Sequence, residues 1–394
     1  MQQIVAQERC VGCGACMNGC PKQCITMVKA EGGFLYPSID QSLCVDCGHC
    51  QAVCPALHHE AYAAEPLPKA YAAHHLEDEA LEHCSSGGIF QLLAQDILQR
   101  GGAVFGAAFD DSFQVTHRQA ETWEEAKEFQ SSKYVQSTIG TAYRQAKSIL
   151  DSGRPVLFTG TPCQISGLKL FLGKDEPNLL CQDIICHSIP SPKVWADYLN
   201  VHTEKHHCGI KEVQFRKKEP NWEGYHFQIT FEDGSLYNCP GSDSSYMKAF
   251  LNGLISRPAC YRCPFKGLHR ASDLTLADFW GVQQVCPSAF HAKGTSLVLL
   301  HTQKAVEIFQ RISAKISAQE VDPVQAVSYN QAAVLPCTRS KRYAWFWAHD
   351  TGKNLDSLVA ACLKPTLSDQ VMMQLRKSIP AKVIRKLRER MKVL

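Results

Sequence analysis

From residue 69 onward the chain alternates between two rhythms. Short apolar runs bounded by Gly, Pro or Asp predict strands at 69–73, 103–109, 113–118, 156–158, 179–185 and 295–301. Between them, apolar residues recur every three or four positions. Ile89, Leu92, Leu93, Ile97 and Leu98 place a helix after Ser85-Ser86-Gly87-Gly88, running to Arg100 and stopped by Gly101-Gly102. The same period predicts helices at 123–129, 141–150, 162–172, 191–202, 242–256 and 304–312, with 133–136 extended. Residues 211–238 break the alternation. There period two persists across a turn at Asp233-Gly234, which predicts an antiparallel insertion in an α/β body.

The first 57 residues follow a different logic. Cys10-Val11-Gly12-Cys13-Gly14-Ala15-Cys16-Met17-Asn18-Gly19-Cys20-Pro21 is repeated as Cys44-Val45-Asp46-Cys47-Gly48-His49-Cys50-Gln51-Ala52-Val53-Cys54-Pro55. Each copy has the spacing of a bacterial two-cluster ferredoxin, in which the fourth Cys of one motif serves the other cluster. The expected 4Fe–4S ligands are Cys10, Cys13, Cys16 and Cys54 for one cluster and Cys20, Cys44, Cys47 and Cys50 for the other. Cross-ligation of this kind sets the clusters roughly 10–12 Å apart. Structural zinc favours paired Cys-x-x-Cys knuckles rather than triplets with a trailing Cys-Pro. Cys24, just outside the first motif, reads as a buried thiol.

These motifs change what the composition implies. Twenty cysteines would suggest a disulfide scaffold, but eight of them are cluster ligands, which argues for a reducing, cytoplasmic setting. A first ligand already at position 10 leaves no room for a signal peptide, and no apolar run is long enough to span a membrane. The length predicts more than one domain: a ferredoxin-type α+β domain at 1–57, a linker at 58–69, the α/β body at 70–345 and a C-terminal helical region at 346–394. The net charge of +3 is concentrated in the tail, where residues 376–394 carry eight basic side chains and one acidic one. The rest is slightly acidic, which excludes nucleic acid as a partner by charge. In the tail, Ile379, Val383, Ile384, Leu387, Met391 and Leu394 recur at helical spacing. They predict a basic amphipathic helix suited to weak contact with an anionic membrane surface or to packing on protein. The His pairs at 58/59, 74/75 and 206/207 lack metal-ligand context and read as solvated.

Four stretches of the body carry candidate chemistry. Ser85-Ser86-Gly87-Gly88 at a helix start is either an anion seat or an ordinary N-cap. Thr159-Gly160-Thr161-Pro162-Cys163-Gln164 joins a buried strand to a helix, with Pro162 suited to the first helical position. There the helix terminus is expected to lower the pKa of Cys163. Asp183-Ile184-Ile185-Cys186-His187 ends another strand on a Cys. Cys260-Tyr261-Arg262-Cys263-Pro264 supplies two more thiols. Spacing alone leaves these four cysteines open to three readings: a third cubane, a zinc site, or a redox dithiol at 260/263 with two core cysteines.

Taken together, Ser85–Gly88, Ser132–Ser137 (SKYVQS), FTGTPCQ, DIICHSIPSP and the run from Arg257 through CYRCPFKG to LADFWG resemble the coenzyme F(420) hydrogenase/dehydrogenase beta-subunit family over roughly residues 67–345. The sequence departs from the family pattern at Ser188. The resemblance implies an iron–sulfur flavoprotein with a third 4Fe–4S cluster on Cys163, Cys186, Cys260 and Cys263. It also implies FAD near Ser85, Ser86, Gly87, Gly88, Lys133, Tyr134, Gln136, Ser137, Thr159, Gly160, Thr161, Pro162 and Gln164. Arg257, Arg262, Lys266 and Arg270 would form a basic neighbourhood for pyrophosphate or an acidic substrate, with Asp278 orienting one of them or shaping a turn. The expected activity is electron transfer between the clusters and FAD, coupled to a small-molecule redox substrate. The alternative is relay to a redox partner protein, without a substrate of its own.

Overall fold

The computed structural model describes residues 3–59, 66–219 and 221–365. The proposed tail helix and most of the linker lie outside the described residues. Near the N-terminus, β1 (Ile25–Lys29) and β2 (Leu35–Ile39) form an antiparallel hairpin. Two short helices, Ala15–Gly19 and His49–Ala52, each follow a Gly in left-handed conformation, Gly14 and Gly48.

The body is built on one mixed sheet of eight strands. These are β3 (Lys69–His75), β4 (Ala103–Phe109), β5 (Val115–Ala120), β6 (Val156–Thr159), β7 (Leu179–Ile184), β11 (Leu274–Asp278), β12 (Ser296–Leu300) and β13 (Ile316–Val321). Their spatial order is β13-β3-β12-β11-β7-β6-β4-β5. The central four, β4, β6, β7 and β11, run parallel, and antiparallel strands close both edges. Residues 210–240 form the antiparallel insertion: β8 (Ile210–Lys217), β9 (His226–Phe231) and β10 (Leu236–Pro240), in the order β10-β9-β8.

Helices cover both faces of the central strands. On one side, Ile89–Gln99 buries Ile89, Leu92, Leu93 and Ile97 against Val104, Leu157 and Val298. On the other, Tyr143, Ile165 and Leu168 pack on Phe105 and Phe158. Phe105 and Phe158 stack at 5.4 Å, and burial of each such ring contributes roughly 2–3 kcal/mol. The helix Pro162–Leu172 starts as expected, with Pro162 in its first turn. A capping box joins Thr161 to Gln164, whose Oε1 accepts from the Thr161 amide at 2.9 Å.

Three local expectations need correction. Strand β5 begins at Val115 rather than Phe113, because Asp110 Oδ1 accepts from the amides of Ser112 and Gln114 and turns Phe113 to φ 55°. The helix expected at 242–256 is Ser245–Leu251, capped by the Ser244 side chain and followed by Gly253 at φ 64°. Of the His pairs, His75 is buried within β3, and its ring Nδ1 accepts from the Glu77 amide at 2.9 Å.

The two parts of the chain are joined by close backbone approach. Arg144 donates to Asn18 O at 2.8 Å and Met17 O at 2.9 Å, placing its charge at the carbonyl end of helix Ala15–Gly19. Asn18 Nδ2 donates to Gly140 O at 2.8 Å. Gly12 and Asp46 hold equivalent places in the cysteine repeats and both are left-handed, at φ 69° and 50°. Only the first needs Gly: a Cβ there would stand 2.5 Å from Gln136 Nε2 and 2.7 Å from an Arg257 terminal nitrogen, Nη1. Gly48, at φ 73°, would meet nothing. Gly48→Ala therefore carries only the left-handed penalty of about 1–2 kcal/mol. Gly12→Ala is expected to add about 1–3 kcal/mol of overpacking at the joint. Anaerobic thermal unfolding should give a melting point several degrees lower for Gly12→Ala; equal melting points would show that the joint does not depend on this contact.

Candidate functional site

The carboxyl ends of the four parallel strands open into one cleft of about 460 Å³. Ala107, Thr159, Ile184 and Asp278 line it from β4, β6, β7 and β11 in turn. The volume is that of a pocket for a cofactor or small ligand. Eleven of the residues expected around FAD line this cleft: Ser85, Ser86, Gly88, Lys133, Tyr134, Gln136, Ser137, Thr159, Gly160, Thr161 and Gln164. Gly87 and Pro162 do not. Gly87 is packed into the sheet, where its amide donates to Ser296 Oγ at 2.9 Å and a Cβ would collide with Ala73 O. Pro162 faces a second cavity on the other side of its loop. The Ser85–Gly88 stretch is thus partly structural: Ser86 Oγ donates to Thr295 O at 3.0 Å, and the Ser132 amide donates to Ser85 Oγ at 2.7 Å.

Several polar atoms of the cleft lining are buried without a partner among the described residues. They are Gln130 Nε2, Gln182 Oε1, His187 Nε2, and Nε and Nη2 of Arg216. Buried polar groups are normally satisfied, so this lining fits a large polar occupant such as a flavin. Lys133 donates to Gln130 O at 2.8 Å, and burial lowers its pKa to about 8. His117 Nε2 lies 2.9 Å from Thr159 O, and its Nδ1 is hydrogen-bonded to Ser137 Oγ. A carbonyl only accepts, so Nε2 carries the proton and Nδ1 accepts from the Ser137 hydroxyl. Burial lowers the pKa of His117 to about 4, which keeps that arrangement neutral at pH 7.

The second cavity lies directly behind the cleft. Cys163, Cys186, Cys260 and Cys263 all line it, together with Val11, Ala259, Phe265 and Lys266. Its open space, about 20 Å³, matches that of the cavity lined by Cys20, Cys44, Cys47 and Cys50 in the N-terminal part. Among the described residues no three Cys, His, Asp or Glu side chains converge closely enough to hold one metal ion. Four thiolates on a single zinc would stand about 3.8 Å apart, whereas a cubane holds its four at the corners of a larger body. The lowered pKa expected for Cys163 is corrected: burial raises it to about 12, outweighing the helix terminus. Cys186 is likewise raised to about 12 by burial. Bound iron reverses this, since a coordinating thiol is deprotonated outright.

The N-terminal cysteines reach this cavity. Val11 is part of its wall, and Cys13 Sγ would lie 3.0 Å from a Cβ on Gly167, in the helix that begins beside Cys163. Arg257 sits at the same joint, wholly buried. It donates to Cys10 O at 2.6 Å, Leu35 O at 2.9 Å and Gln136 Oε1 at 3.1 Å, approaches Cys10 Sγ at 3.6 Å, and lies over the Tyr36 ring at 4.2 Å. No carboxylate is among these partners.

The basic neighbourhood expected from the sequence therefore does not form. Arg257 is enclosed at the joint, and Arg270 is buried against Asp183 at 3.3 Å. Lys266 is held by carbonyls, including Ala332 O at 2.8 Å, and Arg262 is exposed. Asp278 does orient a basic group, but the partner is Arg216, a residue of β8 that the sequence reading passed over. Arg216 and His117 carried no local signal, because each is one polar residue within a strand.

No curated protein matches the chain. Among solved structures, a chain of the F(420)-reducing [NiFe] hydrogenase complex from Methanosarcina barkeri is 19% identical; the alignment covers 68% of this chain and 91% of that one, with a TM-score of 0.47. Residues 9–57 match the model of the 4Fe-4S dicluster domain, and residues 153–325 match that of the C-terminal part of the coenzyme F(420) hydrogenase/dehydrogenase beta subunit. The chain thus joins a 4Fe-4S dicluster domain to a body that belongs to the coenzyme F(420) hydrogenase/dehydrogenase beta-subunit family.

Proposed function

We propose that the protein is an iron–sulfur flavoenzyme that carries electrons from its dicluster domain to an organic acceptor in the cleft. The observation that supports this is the unbroken succession of sites. The loop of Cys44, Cys47 and Cys50 lies at the surface, with Cys47 exposed beside Leu43 and Val45. Cys10, Cys13, Cys16 and Cys54 lie further in. Val11 borders the cavity of Cys163, Cys186, Cys260 and Cys263, and residues 186–189 border both that cavity and the cleft. In this reading the eight N-terminal cysteines hold two cubanes, the four body cysteines hold a third, and FAD occupies the cleft. A separate one-electron donor would meet the exposed end.

FAD would supply the exchange between single electrons and a hydride, which cubanes cannot make alone. The chain's own residues would do the rest. Ser85, Ser86, Gly88, Lys133, Tyr134, Gln136 and Ser137 from one wall, and Thr159, Gly160, Thr161 and Gln164 from the other, would hold the cofactor. Lys133 offers a cation whose desolvation strengthens its attraction to anionic cofactor groups. His117 fixes the Ser137 proton on itself and leaves the hydroxyl's lone pairs free to accept. The partnerless polar atoms of the cleft favour a bound substrate over relay alone.

Arg257 has a role in the same scheme. A desolvated guanidinium without a carboxylate needs negative charge, and a cubane with four thiolates beside Cys10 provides it. A unit charge about 6 Å away, at an effective dielectric near 20, contributes about 3 kcal/mol, roughly 0.1 V for one electron.

Two outcomes are expected. Protein purified without oxygen should contain about 12 irons and one FAD per chain, and Cys263→Ser should lose about four of the irons. About 8 irons with FAD retained would instead make Cys260 and Cys263 a redox dithiol. Arg257→Gln should lower the potential of one cluster by about 0.1 V in an EPR-monitored titration and leave the others in place; unchanged potentials would detach Arg257 from the clusters.

A further inference from the structure

Arg216 is a buried cation with half of its hydrogen-bonding edge unused. The residue is 6% exposed and lines the cleft. Nη1 is paired with Asp278 Oδ2, while Nε and Nη2 have no partner among the described residues. Those two nitrogens share one side of the guanidinium plane, the side that receives two oxygens of one anion in parallel hydrogen bonds. The fork is held rigidly. The guanidinium carbon lies 4.5 Å from the Tyr225 ring centre and 5.2 Å from that of Trp280. Trp280 stacks on Trp222 at 5.3 Å, and the Trp222 indole donates to Asp278 Oδ1 at 3.3 Å. Leaving two donors of such a group unsatisfied is costly, and the cleft is where a partner can enter.

We infer that Arg216 is the carboxylate-binding residue for the organic substrate, so that the acceptor is a planar or aromatic monocarboxylate. This rests on the cleft being a substrate site, as proposed above. Two features favour a substrate carboxylate over a cofactor phosphate. The adjoining Asp278 cancels one unit of charge, which leaves a seat matched to a monoanion and poor for a multiply charged pyrophosphate. The walls around the fork, Tyr134, Tyr225, Phe250 and Trp280, are aromatic and suit an apolar ring attached to that carboxylate.

The test is calorimetric titration of benzoate and of inorganic pyrophosphate into the full chain purified without oxygen, for the wild type, Arg216→Gln and Arg216→Lys. Flavin per chain is measured on the same samples. Benzoate should bind the wild type at one site per chain. Affinity should fall about tenfold or more in Arg216→Lys, which keeps the charge but loses the fork, and binding should vanish in Arg216→Gln. Pyrophosphate should not compete, and flavin content should be the same in all three. No saturable benzoate binding to the wild type, or binding indifferent to both substitutions, overturns the inference. Competition by pyrophosphate together with flavin loss in the variants assigns the fork to the cofactor and also overturns it. If Arg216→Gln fails to fold, Arg216→Lys alone decides. A wild type that lacks flavin but binds benzoate through Arg216 contradicts the flavoenzyme reading and leaves this inference standing.

Discussion

A guanidinium removed from water must be met by negative charge, and Arg257 meets that demand across the joint between the two parts of the chain. It reaches from the segment that carries Cys260 to the backbone and sulfur of Cys10, to the β-hairpin through Leu35 O, and to the cleft through Gln136. One side chain thus ties together a cysteine of the dicluster domain, the loop of the body cysteines and the wall of the proposed flavin site. The left-handed glycine at position 12 follows from it, because nothing larger fits beneath Arg257. The charge balance of the joint and the spacing of the redox sites are therefore set by the same packing.

The body contributes a sheet whose four central strands point the same way. Parallel strands end on one side, so loops far apart in sequence open into one cleft. The antiparallel insertion then supplies what those loops lack. Strand β8 brings Arg216 to Asp278 at the end of β11, and Tyr225, just before β9, flanks the guanidinium. In the proposed arrangement, the parallel strands hold the cofactor and the insertion selects the substrate. A cleft closed by an insertion can change its substrate without disturbing the electron path behind it.

Much of this was legible in the sequence because it depends on spacing. The cysteine repeat is a local signal, and so are the helix starts at Gly88 and Pro162. The strand-end motifs could be listed, and the rule for α/β sheets places ligands at such ends, so most of the expected cofactor residues line one cleft. Long-range pairing was not legible. Arg216 and Asp278 are 62 residues apart, and Arg257 and Cys10 are 247 apart. Sequence reading therefore grouped Arg257, Lys266 and Arg270 as a basic patch by proximity along the chain. In the fold each turns to a different acceptor. The pKa of Cys163 failed for a related reason: its position at a helix start is local, but its burial depends on Val11 and Ala259 from elsewhere.

The central claim is that the surface cysteine loop and the cleft are the two ends of one electron path within a single chain. The most direct measurement is a transient one: photoreduce the clusters of the anaerobic, FAD-loaded protein with a pulsed sensitiser and follow flavin absorbance. The account predicts flavin reduction with a first-order rate that does not change on diluting the protein, and its loss in Cys263→Ser. A rate proportional to protein concentration, or flavin reduced as fast without the body cysteines, would contradict it.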